Sequence, residues 1–217
     1  MKWGALCITM LAAAGLLAPQ PLHIAQAEPG ETVIVALGDS LTAGFGLPQD
    51  QSFSAQLERA LRKRGHDVRV VNAGASGDTA AAGLARLDWA MPDDASAVIV
   101  ELGANDALQG LPPEATKTAL EEIVKNLKAR GLPVLLAGME APRNLGRDYV
   151  EQFAALYRDL AKRYDLVFYP FFLEGAALND GLMQGDGIHP NAGGVARIVE
   201  NILPKVEALL ARVELKD

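Results

Sequence analysis

Cysteine is almost missing from this 217-residue chain: Cys7 is the only one. That argues against disulfide cross-links, thiolate chemistry and any cysteine-built zinc site. Histidine is nearly as scarce, with His23, His66 and His189 alone, so no metal or cofactor is expected. Aromatic residues are only 6% of the chain, which leaves little for an aromatic-lined sugar site. Basic residues are outnumbered, 20 Lys and Arg against 27 Asp and Glu, for a net charge of -7. With no basic face to neutralise phosphates, nucleic acid is not an expected partner, and docking on an anionic membrane gains no support. Two phosphate-cradling patterns, Gly-x-Gly-x-x-Gly and Gly-Lys-Ser/Thr, are absent as well, and with them the case for a non-catalytic nucleotide binder.

What is present begins with a leader. Lys2 precedes an apolar stretch, Ala5 to Ala18, that is too short to span a bilayer, and Ala25-Gln26-Ala27 matches a small-x-small cleavage pattern. We read residues 1–27 as a signal peptide cleaved after Ala27. Cys7 and His23 leave with it. Residues 28–217 are then expected to form one domain, periplasmic or secreted, monomeric and without a membrane anchor.

An unbroken apolar run, Val33 to Leu37, stops at Gly38-Asp39-Ser40 and reads as a strand buried on both faces. Four more strands are predicted at Val68–Val71, Ala97–Leu102, Pro133–Ala137 and Leu166–Tyr169. Helices are predicted between them: from Ser52 to the Gly65 stop, Ala80–Trp89, Pro112–Arg130 and Asp148–Tyr164, with a last one over Asn191–Val213. Strands alternating with helices predict an α/β protein, a three-layer α/β/α fold with a flavodoxin-like, doubly wound, five-stranded parallel sheet. Chemistry in such sheets lies beyond the carboxyl ends of the strands.

Three polar, Gly-containing loops end strands there: Gly38-Asp39-Ser40, Asn72 to Thr79, and Gly103-Ala104-Asn105-Asp106. A fourth, Asp186-Gly187-Ile188-His189, precedes the last helix and can reach the same edge. Ser40 is either the cap of the next helix or a nucleophile. His66 belongs at the opposite edge, so His189 is the one histidine placed to act as a base. Alone it would be an ordinary helix-start histidine. Asp186 three residues earlier changes that, because its carboxylate can hold one ring nitrogen and leave the other for Ser40. A nucleophile also needs donors for developing negative charge. The Ser40 N–H, the Gly74 N–H and the Asn105 amide are the candidates. Asp39 and Asp106 read as acceptors that order loops. Leu108 and Leu111, after Asn105, are expected with Asn144 to wall a groove for an acyl chain.

These blocks, in order, resemble the GDSL or SGNH hydrolases: Gly38-Asp39-Ser40-Leu41, Gly74, Gly103 to Asp106, and Asp186-Gly187-Ile188-His189-Pro190. The four letters of the family fall on Ser40, Gly74, Asn105 and His189. The resemblance implies Asp186 as the third triad member and an oxyanion site from Ser40, Gly74 and Asn105. Asn72 to Thr79, Gly83 to Leu87, Val100 to Gly103, Pro170-Phe171-Phe172 and Asp186 to Asn191 are similar to one branch, the periplasmic thioesterase, protease and lysophospholipase enzymes, often arylesterases. It implies small-molecule acyl esters and thioesters as substrates. A carbohydrate O-acetylesterase on the same scaffold is the alternative. The Gly-x-Ser-x-Gly elbow is missing, so the α/β-hydrolase fold is not the source of the serine.

Overall fold

The structure is a computed structural model that describes residues 30–215; the expected signal peptide lies outside the described residues. The apolar run forms β1, Thr32–Gly38, with Val33 to Leu37 all buried. At about 1.5–3 kcal/mol for each large aliphatic side chain taken from water, this strand alone anchors the core. The other strands are β2 (Val68–Gly74), β3 (Ala97–Glu101), β4 (Val134–Ala137) and β5 (Val167–Tyr169). All pairings are parallel and the order is β2-β1-β3-β4-β5, the flavodoxin-like order expected. Connections leave β1 in opposite directions, toward β2 and back across to β3, so the switch point lies at the carboxyl ends of β1 and β3. The register levels those ends, since Gly38 sits opposite Gly74 on one side and opposite Glu101 on the other.

The helices are α1 (Ser40–Ala43), α2 (Phe53–Lys63), α3 (Ala80–Ala85), α4 (Leu87–Ala90), α5 (Ala104–Leu108), α6 (Pro113–Ala129), α7 (Arg147–Arg163) and α8 (Ala192–Glu214). Helices α2 and α8 pack together on one face, and α3, α6 and α7 on the other. Side chains cap them where the sequence suggested: Ser52 accepts from Ala55 N–H, and Asn191 accepts from the N–H groups of Gly193 and Gly194. Among the described residues, no helix is long and apolar enough to cross a membrane.

Strand β2 is an edge, and its outer groups are taken up by side chains. Glu58 accepts the Val70 N–H at 2.9 Å, Arg62 donates to the Val68 carbonyl at 2.8 Å, and Asn72 accepts the Gly74 N–H at 3.0 Å.

Three expectations change. Ser40 is not a cap; Asp39 is, accepting from Leu41 N–H, and Ser40 begins the helical turn of α1. The helix predicted over Ala80–Trp89 breaks at Arg86, whose side chain is drawn to Asp78 and to the Gly38 carbonyl. The segment after Gly103, expected as a loop, folds into α5. Gly103 starts it at φ +117, where a Cβ would run into the Tyr157 hydroxyl.

Candidate active site

The site grows out of the levelled ends of β1, β2 and β3. Asp39 is buried under the turn it caps. One carboxyl oxygen holds Leu41 N–H at 2.9 Å and the other takes the Asn105 amide at 3.1 Å. Burial pushes the Asp39 carboxyl up to about 6. Ser40 is thereby fixed at the first position of α1, where helix geometry leaves amide N–H groups without an intrahelical acceptor.

His189 arrives from the far end of the chain, with 149 residues separating it from Ser40. An antiparallel bridge between Met183 and Pro190 brings it there, with Gln184 N–H on the His189 carbonyl at 2.7 Å. The Gln184 amide also donates to the Phe45 carbonyl, tying this loop to the segment after α1. The Phe45 ring lies against the imidazole, centroids 4.5 Å apart. His189 Nε2 is 3.0 Å from Ser40 Oγ, and Nδ1 is 2.7 Å from Asp186 Oδ2. The other Asp186 oxygen accepts the backbone N–H groups of His189 and Ile188. Those bonds, the His189 backbone first, hold the Asp186 carboxyl well below the ordinary carboxylate range. An ionised Asp186 selects the tautomer with the proton on Nδ1. Nε2 is then an acceptor facing the Ser40 hydroxyl.

The three candidate donors stand differently. Gly74 N–H donates to Asn72 Oδ1. A Cβ at Gly74 would run into the Ala43 backbone, so its missing side chain serves the close approach of α1 to β2. Asn105 donates to Asp39 at 3.1 Å and to the Asp78 carbonyl at 3.0 Å. Asp106 is a buried loop-ordering acceptor, taking Ala80 N–H and the Thr116 hydroxyl.

A cavity of about 250 Å³ opens beside Ser40 and His189. Its walls are mainly aliphatic and thioether: Leu41, Leu108, Met139, Leu173, Met183 and Ile188. Leu178 also lines it and is 95% exposed, with a left-handed backbone at φ +61. Of the three groove residues expected from sequence, Leu108 lines this cavity. Leu111 and Asn144 do not. The Leu111 carbonyl accepts from Tyr149 in the connection to α6, and Asn144 is exposed on a short 3-10 turn, Arg143–Leu145. A larger, more open groove of about 570 Å³ runs along β2 and contains none of Ser40, His189 or Asp186. Sequence reasoning missed Met139, Leu173, Leu178 and Met183, which lie in loops with no periodicity to flag them. Ile188, an apolar residue next to the histidine in an otherwise polar loop, was the one legible signal. Among the described residues, no group of three or more His, Cys, Asp or Glu side chains is arranged to hold a metal.

The GDSL-like lipase/acylhydrolase family model matches residues 36–197, a span that contains Ser40, Gly74, Asn105, Asp186 and His189. The chain belongs to this family. It is 40% identical over 188 residues to the esterase TesA of Pseudomonas aeruginosa, covering 86% of this chain and 93% of that protein. It is 40% identical over 167 residues to thioesterase 1/protease 1/lysophospholipase L1 of Escherichia coli, covering 76% and 78%. The crystal structure of AlinE4, an SGNH-hydrolase family esterase, superposes with a TM-score of 0.71 at 44% identity, covering 85% of this chain and 99% of that one. The chain is therefore an enzyme, a serine hydrolase acting on ester bonds.

Proposed function

We propose that Ser40, His189 and Asp186 are the catalytic triad of this hydrolase and that its substrates are acyl esters and thioesters of single hydrocarbon chains. The observation that carries the reading is the contact chain Asp186–His189–Ser40, at 2.7 and 3.0 Å. Ser40 Oγ attacks the acyl carbonyl as its proton passes to His189 Nε2. The imidazolium is stabilised by Asp186 and returns the proton to the leaving alcohol or thiol. Negative charge on the tetrahedral oxygen is received by the N–H groups of Ser40 and Gly74 and by the Asn105 amide. For the last two this means turning from Asn72 and from Asp39 or Asp78 toward the substrate. Water activated by His189 then releases the acyl group.

The aliphatic cavity supports an acyl chain over a sugar, whose hydroxyls would need polar and aromatic walls. Aryl esters, acyl-CoA and lysophospholipids all present such a chain beside a scissile carbonyl. The leader at residues 1–27 supports export to the periplasm or medium, with Glu28 as the first residue; N-terminal sequencing of the exported protein tests this. The activity is tested with p-nitrophenyl esters of increasing chain length. Ser40→Ala should lower kcat by roughly 10⁴-fold or more. A variant that turns over at the wild-type rate would remove Ser40 from the mechanism.

A further inference from the structure

Beneath the nucleophile lies a carboxyl that the reaction above does not use. Glu101 ends β3, fully buried, between Gly38 on one neighbouring strand and Ala137 on the other. Its Oε2 accepts from the Thr42 hydroxyl at 2.7 Å, and Thr42 is buried in the same turn as Ser40. Its Oε1 is buried with no hydrogen-bond partner. The titratable groups facing it are Asp39 from the nucleophile turn and Tyr157 from α7, whose hydroxyl donates to the Leu102 carbonyl. No cation is paired with it among the described residues. Arg86 reaches the neighbouring Gly38 carbonyl but is matched to Asp78. The chain is shaped around the contact, since a Cβ at Gly38 would run into both Thr42 and the Glu101 carboxyl.

The Thr42 hydroxyl and the backbone N–H groups of Asp39 and Thr42 favour an ionised carboxylate here, but full burial and the second acid beside it outweigh them. A neutral carboxylic acid would leave no bare charge. Burial, with Asp39 beside it, pushes the Glu101 carboxyl well above the ordinary carboxylate range.

We propose that Glu101 is a positioning residue of the hydrolase site: a neutral carboxylic acid that clamps the nucleophile turn to β3 through Thr42 and so sets where Ser40 stands. The proposal rests on the reading of Ser40 as nucleophile. A four-residue helix has too few backbone bonds to hold its own shape. Asp39 secures its start and Glu101 secures its middle. Leucine at this place would leave the Thr42 hydroxyl buried without a partner. A second charge would repel Asp39.

Four variants of the full chain test this. Glu101→Leu and Thr42→Val both remove the clamp, the second with almost no change in volume. Each should lower kcat on the order of 10- to 100-fold with KM little changed, and should slow phosphonate labelling of Ser40. Glu101→Gln, neutral and of the same shape, should restore most of the lost rate. Above neutral pH, where Asp39 is ionised, the infrared spectrum of the wild type should contain the carbonyl stretch of a protonated carboxylic acid that Glu101→Gln lacks. Three results would each overturn the proposal: a folded Glu101→Gln as slow as Glu101→Leu, a Thr42→Val at the wild-type rate, or an infrared band that Glu101→Gln leaves untouched. Failure of the nucleophile reading is seen separately, as an active Ser40→Ala, while the infrared comparison still reports the state of Glu101.

Discussion

Asp186 holds its histidine from a turn of four residues, and the same carboxylate is held by that turn's backbone. Asparagine there would keep an oxygen for the backbone N–H groups but present an NH₂ group to Nδ1. The ring would then carry its proton on Nε2, facing Ser40 with a donor. Asp186→Asn is expected to lower kcat by about 10³- to 10⁴-fold with nearly unchanged thermal unfolding, because the pair lies near solvent. Steady-state kinetics beside calorimetry separates the two effects. Asp39 behaves in the opposite sense. Its carboxyl is raised from 3.8 to about 6, so folding favours its neutral form. The stability it contributes is full below its unfolded value and is lost as pH rises through about 6. That swing amounts to about 2–3 kcal/mol. Unfolding midpoints of wild type and Asp39→Asn, followed from acid to neutral pH, should therefore draw together as pH rises, with the wild type losing ground. Parallel curves would mean that Asp39 carries no such linkage.

At the scale of elements, α5 places one donor and one wall residue within a single turn. Asn105 faces Asp39 from its beginning and Leu108, 53% exposed, reaches the cavity from its end. Leu108→Ser should leave short p-nitrophenyl esters untouched and lower kcat/KM for long ones severalfold, at about 0.8 kcal/mol per buried methylene. An unchanged chain-length profile would take Leu108 out of the acyl wall. The same element shows where sequence reading stops. Long helices and buried strands repeat their apolar residues often enough to be read, and α2, α6, α7 and α8 were legible within a residue or two. Turns of four or five residues carry no period, so α1 and α5 were hidden until tertiary contacts with Asp39, Glu101 and Tyr157 supplied what propensity lacks. The contact chain of Ser40, His189 and Asp186 was legible because a serine, a histidine and an acid at those spacings constrain residue type as well as position. Leu111 was misplaced because an apolar residue near a site has nothing in its sequence to say which way it faces. Glu101 looked like a strand residue, since Thr42 lies 59 positions away.

For the whole molecule, β2 is the outer margin of the sheet, and its last residue, Gly74, stands opposite Gly38 beside the nucleophile turn. Glu58 from α2 covers the Val70 N–H, so Glu58→Ala should uncover a hydrogen-bond donor on that margin. The expected outcome is a loss of about 1 kcal/mol in stability and earlier light scattering on heating, with Glu58→Gln intermediate. Far along the chain, His189 lies in the loop closed by the Met183–Pro190 bridge, just ahead of Asn191, which caps α8. The proposed nucleophile therefore leaves the ribosome 149 residues before the proposed base. A nascent chain carries Ser40 without its proposed base, His189, which arrives only after β5 has been made. Under the proposed mechanism, the order of parts along the polypeptide is a safety catch that defers ester hydrolysis until β5 and the His189 loop have been made.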